Sequence, residues 1–325
     1  MERTPQSPPL IQPLPPSINQ PLWSVMIPSY NCSSYLEVAL RSVLQQAPSA
    51  EKMQIEVVDD CSTDADVSSL VAELGQGRVL FFRQEQNVGS LRNFETCINR
   101  AQGQLVHILH GDDFVAEGFY AEQEQLFARF PGTGAAFTNF LYVDEHGDSI
   151  QAPQGLLTEP GILPNWVTTL AQGQRVQFPA MVVKRAVYEH LGSFYGVHYG
   201  EDWEMWTRIA ASYPVAHSPR ALAMYRVHTN NITSTTYLSG QCIRDTSIVI
   251  ELIQQYLPRE QRADLRNICR RNYALYYAET ANKLYKITRN RKAALKQAYD
   301  ALRLDFNPVT FKLFSKLCIK TLIRY

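Results

Sequence analysis

The sequence lacks the cysteine patterns on which metal-binding and disulfide-linked proteins depend. Its six cysteines, at positions 32, 61, 97, 242, 269 and 318, form no Cys-x-x-Cys pair and no metal-finger spacing. No run approaches eighteen apolar residues, so no membrane-spanning helix is expected. The first residues lack the charged-then-apolar pattern of a signal peptide. These absences predict a cytoplasmic protein with reduced thiols.

Charge is balanced in total but not along the chain. Of 325 residues, 45% are apolar and 19% are charged, which is typical of a soluble globular protein, and the formal net charge is zero. Residues 283–325 hold eleven Lys and Arg against two acids, a net charge of +9, which leaves 20 basic and 29 acidic residues elsewhere, or −9. This asymmetry predicts that the basic tail either meets an anionic partner or docks onto the acidic body.

Segments typical of strands alternate with segments typical of helices from residue 22 onward. The strand segments are nearly continuous apolar runs, namely "LWSVMIPSY", "MQIEVVDD", "RVLFFRQ", "QLVHILH" and "GAAFTNF". Such runs predict a mostly parallel sheet covered by helices on both faces. Open α/β sheets bind ligands outside the carboxyl ends of their strands. The polar stretches "PSYN", "VVDDCSTD" and "LHGDD" follow three strands and are therefore expected to converge on one edge.

The stretch "LHGDD" has the residues of a divalent-cation site. Mg²⁺ or Mn²⁺ commonly takes one or two carboxylates together with substrate phosphates, and Asp112 and Asp113 would supply the carboxylates. His110 would ligate the cation or bond a phosphate, and Gly111 would let the backbone approach a ligand. A plain strand-to-helix turn with Asp113 as the N-cap is an equally good interpretation of this stretch alone.

Two other acidic stretches are less distinctive. Asp59 and Asp60 end a buried strand, where doubled acids are unfavourable unless something pairs with them, although turn or cap roles would also explain them. The literal D-x-D match from Asp64 to Asp66 lies at a helix start and is predicted to be a decoy. In "GEDWEMW", Asp202 suits a general base beside a sugar-stacking tryptophan. The alternative, a capped amphipathic helix with its tryptophans in the core, is favoured by this pattern alone.

The stretch "MYRVH" places Arg226 and His228 on one face of a strand by the two-residue period. Both side chains would suit a diphosphate, and His228 would also suit a metal. A structural role for the histidine is the simpler alternative.

Six stretches, in order, resemble the inverting nucleotide-sugar glycosyltransferases of family 2, which have the GT-A fold. They are "VMIPSYN", "EVVDDCSTD", "NVGSLRN", "GQLVHILHGDD", "GEDWEMWTRIA" and "YRVH". The resemblance covers roughly residues 22 to 230. It implies a GT-A domain over 22–235, with a nucleotide-binding half (22–140) and an acceptor-binding half (141–235). Residues 1–21, with seven prolines, are expected to be a disordered lead-in, and 236–325 a basic helical extension.

The resemblance also implies a role for each matching residue. Those implied to bind the nucleotide are Pro28, Tyr30, Asn31, Asp59, Asp60, Gly89, Arg92 and Asp112. Those implied to hold the metal are Asp112, Asp113 and His228, and those implied to meet the diphosphate are His110, Arg226 and His228. Asp202 would be the catalytic base, with Glu201 as the second candidate, and Trp203 and Glu201 would contact the acceptor.

The implied reaction is transfer of one sugar, with inversion, from a nucleotide-diphosphate sugar to an acceptor hydroxyl. The donor is most often a UDP-sugar, the cofactor Mn²⁺ or Mg²⁺, and the acceptor a saccharide or lipid-linked saccharide in polysaccharide or glycolipid synthesis. Processive synthases carry a Q-x-x-R-W signature that is missing here, which favours single-sugar transfer. His110 stands where the family has the first Asp of D-x-D. This departure leaves open a catalytically weakened nucleotide-sugar-binding scaffold.

Other nucleotide-binding enzymes fit the sequence less well. A Mg²⁺-dependent nucleotidyltransferase needs a glycine-rich, basic triphosphate loop after the first strand, yet "PSYNCSS" has neither glycine nor lysine. A dinucleotide dehydrogenase needs G-x-G-x-x-G there, which is absent. No nucleic-acid partner is expected.

The last nineteen residues predict a basic amphipathic helix. Lys312, Lys316, Lys320 and Arg324 recur every four residues, flanked by bulky apolar residues. Such a helix suits an anionic membrane surface, here the inner face of the membrane. Docking on the body of the protein is the alternative.

Overall fold

A computed structural model describes residues 2–153, 155–229, 231, 236–237 and 239–323, so the boundary predicted at residue 235 and Arg324 lie outside the described residues. The chain forms two compact units. The first comprises Met1–Trp166, Val176–Gly196 and Ser212–Val227, and the second comprises Val167–Arg175, Val197–Ala211 and His228–Tyr325. The units therefore interleave along the chain and do not follow the predicted linear division.

The first unit is built on a sheet of ten strands in the described residues, and the first strand begins at Trp23. The order of its hydrogen-bonded strands is β3-β2-β1-β4-β9-β6-β10-β5, with β7 beside β6 and β8 beside β10. The strands are β1 (Trp23–Ser29), β2 (Met53–Asp59), β3 (Leu80–Arg83), β4 (Leu105–Ile108), β5 (Phe114–Val115), β6 (Ala135–Val143), β7 (Ser149–Gln151), β8 (Gly161–Ile162), β9 (Met181–Lys184) and β10 (Val215–Arg226).

Only one half of this sheet is purely parallel. Strands β3, β2, β1 and β4 are parallel to one another, in a register that sets Ser29 opposite Asp59 and Trp23 opposite Leu105. Strand β9 is antiparallel to both β4 and β6, and β10 is parallel to β6. The predicted α/β class is confirmed, while the parallel pattern holds for the half that carries the "PSYN", "DD" and "HGDD" stretches.

Side chains cap the first N–H groups of some of the helices. Asp66 caps one by accepting from the Ser69 N–H, which confirms that the "DAD" match is a helix start. The helices are α1 (Ser33–Leu44), α2 (Val67–Gly75), α3 (Ser90–Arg100), α4 (Phe119–Arg129), α5 (Trp166–Leu170), α6 (Arg185–Leu191), α7 (Glu201–Ser212), α8 (Gln241–Leu252), α9 (Arg262–Thr288), α10 (Arg291–Leu304) and α11 (Pro308–Leu322).

The second unit is helical, as predicted for the chain after residue 236. Its last three helices share a core of small and apolar side chains, made by Ala281, Tyr285, Ala294, Ala298 and Leu317. Helix α11 starts at a capping box, in which Asn307 accepts from the Thr310 N–H and the Thr310 hydroxyl bonds the Asn307 backbone. No helix in the described parts of the chain is both long and apolar enough to span a bilayer.

The proline-rich N-terminal segment differs from the expected disordered lead-in. Its carbonyls accept hydrogen bonds from the first unit, Pro5 from the Gly196 N–H at 2.9 Å and Pro9 from the Ser193 N–H at 2.8 Å. The Gln12 carbonyl accepts from Arg185 at 3.0 Å, and the Ile11 side chain is buried. Proline-rich segments are extended and leave their carbonyls unbonded, so partners on the folded body can hold them. We call residues 2–12 the N-terminal arm.

Candidate active site

The carboxyl ends of β1, β2 and β4 meet at one edge, as predicted. The Gly111 N–H donates to the Pro28 carbonyl at 3.1 Å, and the Asp60 N–H donates to the Ser29 carbonyl at 2.8 Å. A side chain at position 111 would place its Cβ 2.8 Å from the Cys32 Sγ, so this close approach requires glycine. The three polar stretches are thus tied together through their backbones.

The loop after β4 groups three possible metal ligands. Ligand atoms of His110, Asp112 and Asp113 lie within 4.8 Å of one another. Two buried atoms here, the Asp113 Oδ2 and the His110 Nε2, have no hydrogen-bond partner among the described residues. Burial and the neighbouring Asp112 raise the pKa of Asp113 well above its usual value. Orphaned buried acceptors beside a second carboxylate fit a divalent cation, which would supply the missing positive charge.

The His110 ring packs against two phenylalanine rings. It stacks on Phe94 with a centroid separation of 5.1 Å and an interplanar angle of 11°, and it packs against Phe178 at 4.3 Å. Burial lowers the pKa of His110, which favours the neutral imidazole. A neutral imidazole is a metal ligand, whereas an imidazolium is not. An aspartate at this position would place a charge among aromatic rings.

Arg226, predicted to meet the diphosphate, instead holds in place the loop that carries Asp112 and Asp113. Its guanidinium donates to the carbonyls of Asp112, Asp144 and Glu145 at 2.8 to 3.1 Å. Its backbone N–H donates to the Asp113 Oδ1 at 2.8 Å, and the whole residue is buried. The prediction failed because strand periodicity gives the face of a side chain but not the carbonyls within its reach.

Asp59, predicted to bind the nucleotide, is buried and fully engaged by protein groups. Its oxygens accept from Ser29, from the backbone and hydroxyl of Ser62, and from the Arg83 guanidinium. The Asp59 carboxylate therefore links β1, the loop that follows β2, and β3. A direct contact with a ligand would require it to give up one of these bonds.

Asp60 organises the loop that precedes α3. One oxygen accepts from the Val88 N–H at 2.7 Å, and the other accepts from the Gly89 N–H and the Asn87 amide at 2.9 Å each. Burial raises the pKa of Asp60, while the Val88 and Gly89 N–H groups and the Arg3 charge act in the opposite direction. Gly89, with φ of +89°, contributes to this loop through its backbone. Asp60 and Gly89, both predicted to bind the nucleotide, thus lie at the sheet edge and are hydrogen-bonded to each other.

The N-terminal arm reaches this same loop. The Arg3 side chain bonds the Asn87 side chain and lies against Gly89, where an added Cβ would be 3.1 Å from the Arg3 Nε. Arg92, predicted to face the nucleotide, donates to the Glu2 carbonyl at 2.8 Å and to Glu95 at 2.6 Å. Nothing in the sequence of the arm indicated this position.

Tyr30 and Asn31 turn the chain at the end of β1. Asn31 is in the left-handed region with φ of +49°, and its side-chain oxygen accepts from the Thr63 N–H at 2.8 Å. Tyr30 is 50% exposed, unlike the buried strand before it. An exposed aromatic ring at the ligand edge of a sheet suits stacking against a base.

The second unit holds the predicted catalytic pair at the start of α7. The Asp202 carboxylate accepts from the Trp203 N–H at 2.7 Å and from the Gln174 amide at 2.5 Å. Burial raises the pKa of Asp202 to about 7, and burial together with Asp202 raises the pKa of Glu201 well above its usual value. Gln174 was not predicted, although the polar run "AQGQRVQ" that contains it is a signal of exposed or site-lining residues.

Trp203, predicted to contact the acceptor, is a core residue. It is 1% exposed, and its indole N–H donates to the Leu170 carbonyl at 2.7 Å. The amphipathic-helix interpretation is therefore the right one for this tryptophan, since an enclosed ring has no face left for a sugar. His228 is half-buried in the second unit and does not belong to the group of His110, Asp112 and Asp113.

Comparisons with known proteins agree with this architecture. A sequence profile described as Glycosyl transferase family 2 matches residues 24–191, just over half of the chain. An uncharacterized glycosyltransferase of Haemophilus influenzae is 25% identical over 248 residues, which are 74% of this chain and 75% of that protein. The putative teichuronic acid biosynthesis glycosyltransferase TuaG of Bacillus subtilis is 36% identical over 96 residues, 29% of this chain and 37% of that protein.

A further relative shares only part of its length with this chain. An uncharacterized protein of Mycobacterium tuberculosis is 36% identical over 118 residues, and the chain spans 36% of that relative's length. The chain thus spans little more than a third of the length of this mycobacterial protein and of TuaG.

Solved structures resemble the whole chain in fold. The S. aureus TarS 1–349 structure has a TM-score of 0.61 at 14% identity, covering 93% of this chain and 88% of that one. The same protein in complex with UDP-GlcNAc has a TM-score of 0.59 at 16% identity, with coverages of 93% and 89%. The mannosyltransferase PcManGT of Pyrobaculum calidifontis, in complex with GDP-Man and Mn²⁺, has a TM-score of 0.57 at 17% identity, with coverages of 98% and 90%. The chain belongs to glycosyl transferase family 2 and has the GT-A fold.

Proposed function

We propose that the protein transfers one sugar, with inversion, from a UDP-sugar to the hydroxyl of a saccharide or lipid-linked saccharide. The observation that carries this proposal is the group of His110, Asp112 and Asp113 at the carboxyl end of β4, with two orphaned buried atoms. Solved relatives of the same fold hold UDP-GlcNAc or GDP-Man with Mn²⁺, which supports a nucleotide-sugar donor. The name of TuaG supports a role in polysaccharide synthesis.

Asp112 and His110 would hold Mn²⁺ or Mg²⁺, with Asp113 as support. When bound, the cation would offset the negative charge that develops on a departing nucleoside diphosphate. The chain's own part is to fix the ligand set. The Arg226 N–H donates to Asp113, and the Arg226 guanidinium donates to the Asp112 carbonyl. Packing against Phe94 and Phe178 holds the His110 ring.

The base is Asp202 in this proposal. The acceptor oxygen attacks the anomeric carbon while its proton passes to the Asp202 carboxylate. The bond from the anomeric carbon to the diphosphate oxygen breaks, and the diphosphate leaves with the electron pair. A single displacement of this kind inverts the anomeric configuration. Two features support the assignment: hydrogen bonds from Gln174 and Trp203 orient the carboxylate, and a pKa near 7 suits proton transfer at neutral pH.

Nucleotide recognition would fall to the exposed Tyr30 ring and the loop from Asn87 to Arg92. Asp60 would act by holding that loop rather than by pairing with the base through a spare oxygen. Pro28 and Asn31 would shape the same edge through their backbone contacts. His228 keeps its proposed role toward the diphosphate, for which its imidazole is suited.

The proposal is tested by titrating UDP with and without Mn²⁺, followed by a panel of UDP- and GDP-sugars with mass detection of products. Transfer from a UDP-sugar that requires Mn²⁺ or Mg²⁺ is the expected result, with a product of inverted configuration by NMR. Metal-dependent UDP binding without turnover on any donor would favour the scaffold alternative. Transfer that retains the anomeric configuration would overturn the single displacement.

We also propose that α11 lies on an anionic membrane surface. Leu317 packs into the core of the second unit, which shows that the helix docks through one face. Its other face exposes Phe311, Ile319 and Leu322 beside the exposed Lys312 and Lys316. A row of bulky apolar side chains next to cations matches the two parts of a lipid surface, the acyl boundary and the anionic headgroups.

Vesicle flotation tests the membrane proposal. The wild type is expected to float with phosphatidylserine-containing vesicles, and Lys312→Glu/Lys316→Glu is expected to stay in the dense fraction. The charge-matched control is Lys52→Glu/Arg129→Glu, two exposed cations of the first unit, which should float like the wild type. Equal flotation of both double variants, or none by the wild type, would contradict a surface role for α11.

A further inference from the structure

Five tyrosines of the second unit form one continuous group of rings. Neighbouring ring centroids lie 5.4 to 6.4 Å apart, within the range of favourable aromatic pairs. We call this group the tyrosine cluster, and its members are Tyr199, Tyr237, Tyr273, Tyr276 and Tyr277. Three of them come from α9, which lies beyond the residues matched by the family profile.

The cluster is joined to the proposed base through Gln174. The Gln174 backbone N–H donates to the Tyr273 hydroxyl at 3.1 Å, while its side-chain amide donates to Asp202 at 2.5 Å. The Tyr273 ring also packs on Trp203, with centroids 5.2 Å apart. Tyr199 lies two residues before Glu201 in the chain. One end of the cluster is therefore fixed beside the carboxylate pair.

The other end of the cluster reaches solvent. Tyr277 is buried, with its hydroxyl 2.7 Å from that of Thr246, whereas Tyr276 is 47% exposed. The Tyr276 hydroxyl accepts from the Tyr237 hydroxyl at 2.7 Å, so the two rings are held in a fixed arrangement. A core alone would not need an aromatic row that runs from a buried carboxylate to the surface.

The chemistry of this row suits a sugar ring. The C–H face of a pyranose packs on an aromatic ring, and its hydroxyls bond to phenolic hydroxyls, which donate and accept. Burial raises the pKa of Tyr273 and Tyr237 well above the usual value, so both hydroxyls keep their protons at any physiological pH. Neutral donors and acceptors favour a neutral polyol over an anion.

We propose that the accessible side of the tyrosine cluster binds the acceptor saccharide, with Tyr276 and Tyr237 as its outer contact and Tyr273 nearest to Asp202. The buried Tyr277 only supports the Tyr276 ring. This inference rests on the proposed function, since it assumes that Asp202 deprotonates an acceptor hydroxyl. It reassigns acceptor contact from the enclosed Trp203 to side chains of α9 and its neighbours. Acceptor choice then depends on a part of the chain outside the shared family region.

Saturation-transfer NMR with methyl glycosides of glucose, galactose, mannose and N-acetylglucosamine tests the proposal. At least one glycoside is expected to receive magnetisation from the wild type. That signal should fall at least fivefold in Tyr276→Ala and in Tyr237→Phe. Tyr299→Ala is the matched control, because Tyr299 is a 50% exposed helical tyrosine outside the cluster, and it should retain the full signal.

Two results would overturn the proposal. One is that no glycoside binds the wild type, and the other is that Tyr276→Ala and Tyr299→Ala lose signal equally. UDP binding with Mn²⁺, measured on the same samples, separates this proposal from the proposed function. Intact nucleotide binding with unchanged glycoside binding in Tyr276→Ala rejects the cluster alone, whereas failure of nucleotide binding in the wild type rejects the transferase proposal.

Discussion

The side-chain amide of Gln174 donates a hydrogen bond to the Asp202 carboxylate at 2.5 Å. This bond is made to the charged form of the acid, so it lowers the pKa of Asp202 against the larger effect of burial. Backbone N–H groups, that of Trp203 first, also lower the pKa of Asp202, but only the Gln174 bond can be removed by a side-chain substitution.

Gln174→Leu should shift the pH dependence of transfer. Loss of a hydrogen bond to a charged group costs about 1.5 kcal/mol or more, which corresponds to about one pKa unit. The acid limb of kcat/KM, expected near pH 7 in the wild type, should move up by about one pH unit. The measurement is a kcat/KM profile from pH 5 to 9, and an unmoved acid limb would mean that Asp202 is not the titrating base.

Asp202→Asn should lose at least a hundredfold in kcat while gaining stability at alkaline pH. Burial raises the folded-state pKa from 3.8 to about 7, so the folded chain keeps a proton that the unfolded chain has released. The stability that this group contributes is therefore complete below pH 4 and is lost as the pH rises to 7. The melting temperature of the Asn variant relative to wild type should be higher at pH 8 than at pH 4. An identical difference at both values would contradict the raised pKa.

The metal site is tested by three substitutions read out as Mn²⁺-dependent UDP affinity. Asp112→Asn should lose most of the metal-dependent binding. His110→Phe should lose less, because phenylalanine preserves the packing on Phe94 and Phe178 and removes only the imidazole. Asp66→Asn is the control, since Asp66 belongs to a D-x-D match but caps α2. Equal Mn²⁺-dependent UDP affinities for the Asp112→Asn and Asp66→Asn variants would contradict a metal site at Asp112.

Arg226→Lys should destabilise the loop that carries Asp112 and Asp113. A lysine ammonium cannot reproduce the planar fork that reaches three carbonyls, so about 2 kcal/mol of stability should be lost. Urea unfolding measures the loss, and Mn²⁺-dependent UDP binding should weaken in parallel. Arg220→Lys, a mostly exposed arginine that pairs with Glu122, should change neither quantity measurably.

A pair of neighbouring residues tests the order of the N-terminal arm. Ile11 is 3% exposed and Leu10 is 78% exposed. Ile11→Ala should cost about 2 kcal/mol by emptying a filled site, while Leu10→Ala should be nearly neutral. Thermal unfolding of both variants gives the comparison. Equal melting temperatures would support the disordered lead-in expected from the prolines.

The ligand edge was predictable because it follows from one-dimensional patterns. Apolar runs of strand length that end in "PSYN", "DD" and "HGDD" identify parallel strands and the edge where they finish. The group of Asp112, Asp113 and His110 needs no knowledge of distant contacts, since all three residues lie within four positions of one another.

Roles that depend on distant partners were not predictable. The buried Trp203 donates to the Leu170 carbonyl, 33 positions away, and Arg226 donates to carbonyls about 80 and 114 positions away. Asp59 bonds to Arg83 of β3, and Asp60 bonds to Val88 in the loop before α3, 24 and 28 positions away. Helical or strand periodicity gives the face on which a side chain lies, but not which polar groups the fold brings to it.

The N-terminal arm has a practical consequence for experiments on this protein. Its first described residues, Glu2 and Arg3, bond Arg92 and Asn87 in the loop proposed to recognise the nucleotide. Any polypeptide joined ahead of Glu2, such as a purification tag, would therefore start beside that loop. Kinetic constants measured with such a tag should be compared with those of the protein after its removal, because the tag would begin beside the loop proposed to recognise the nucleotide.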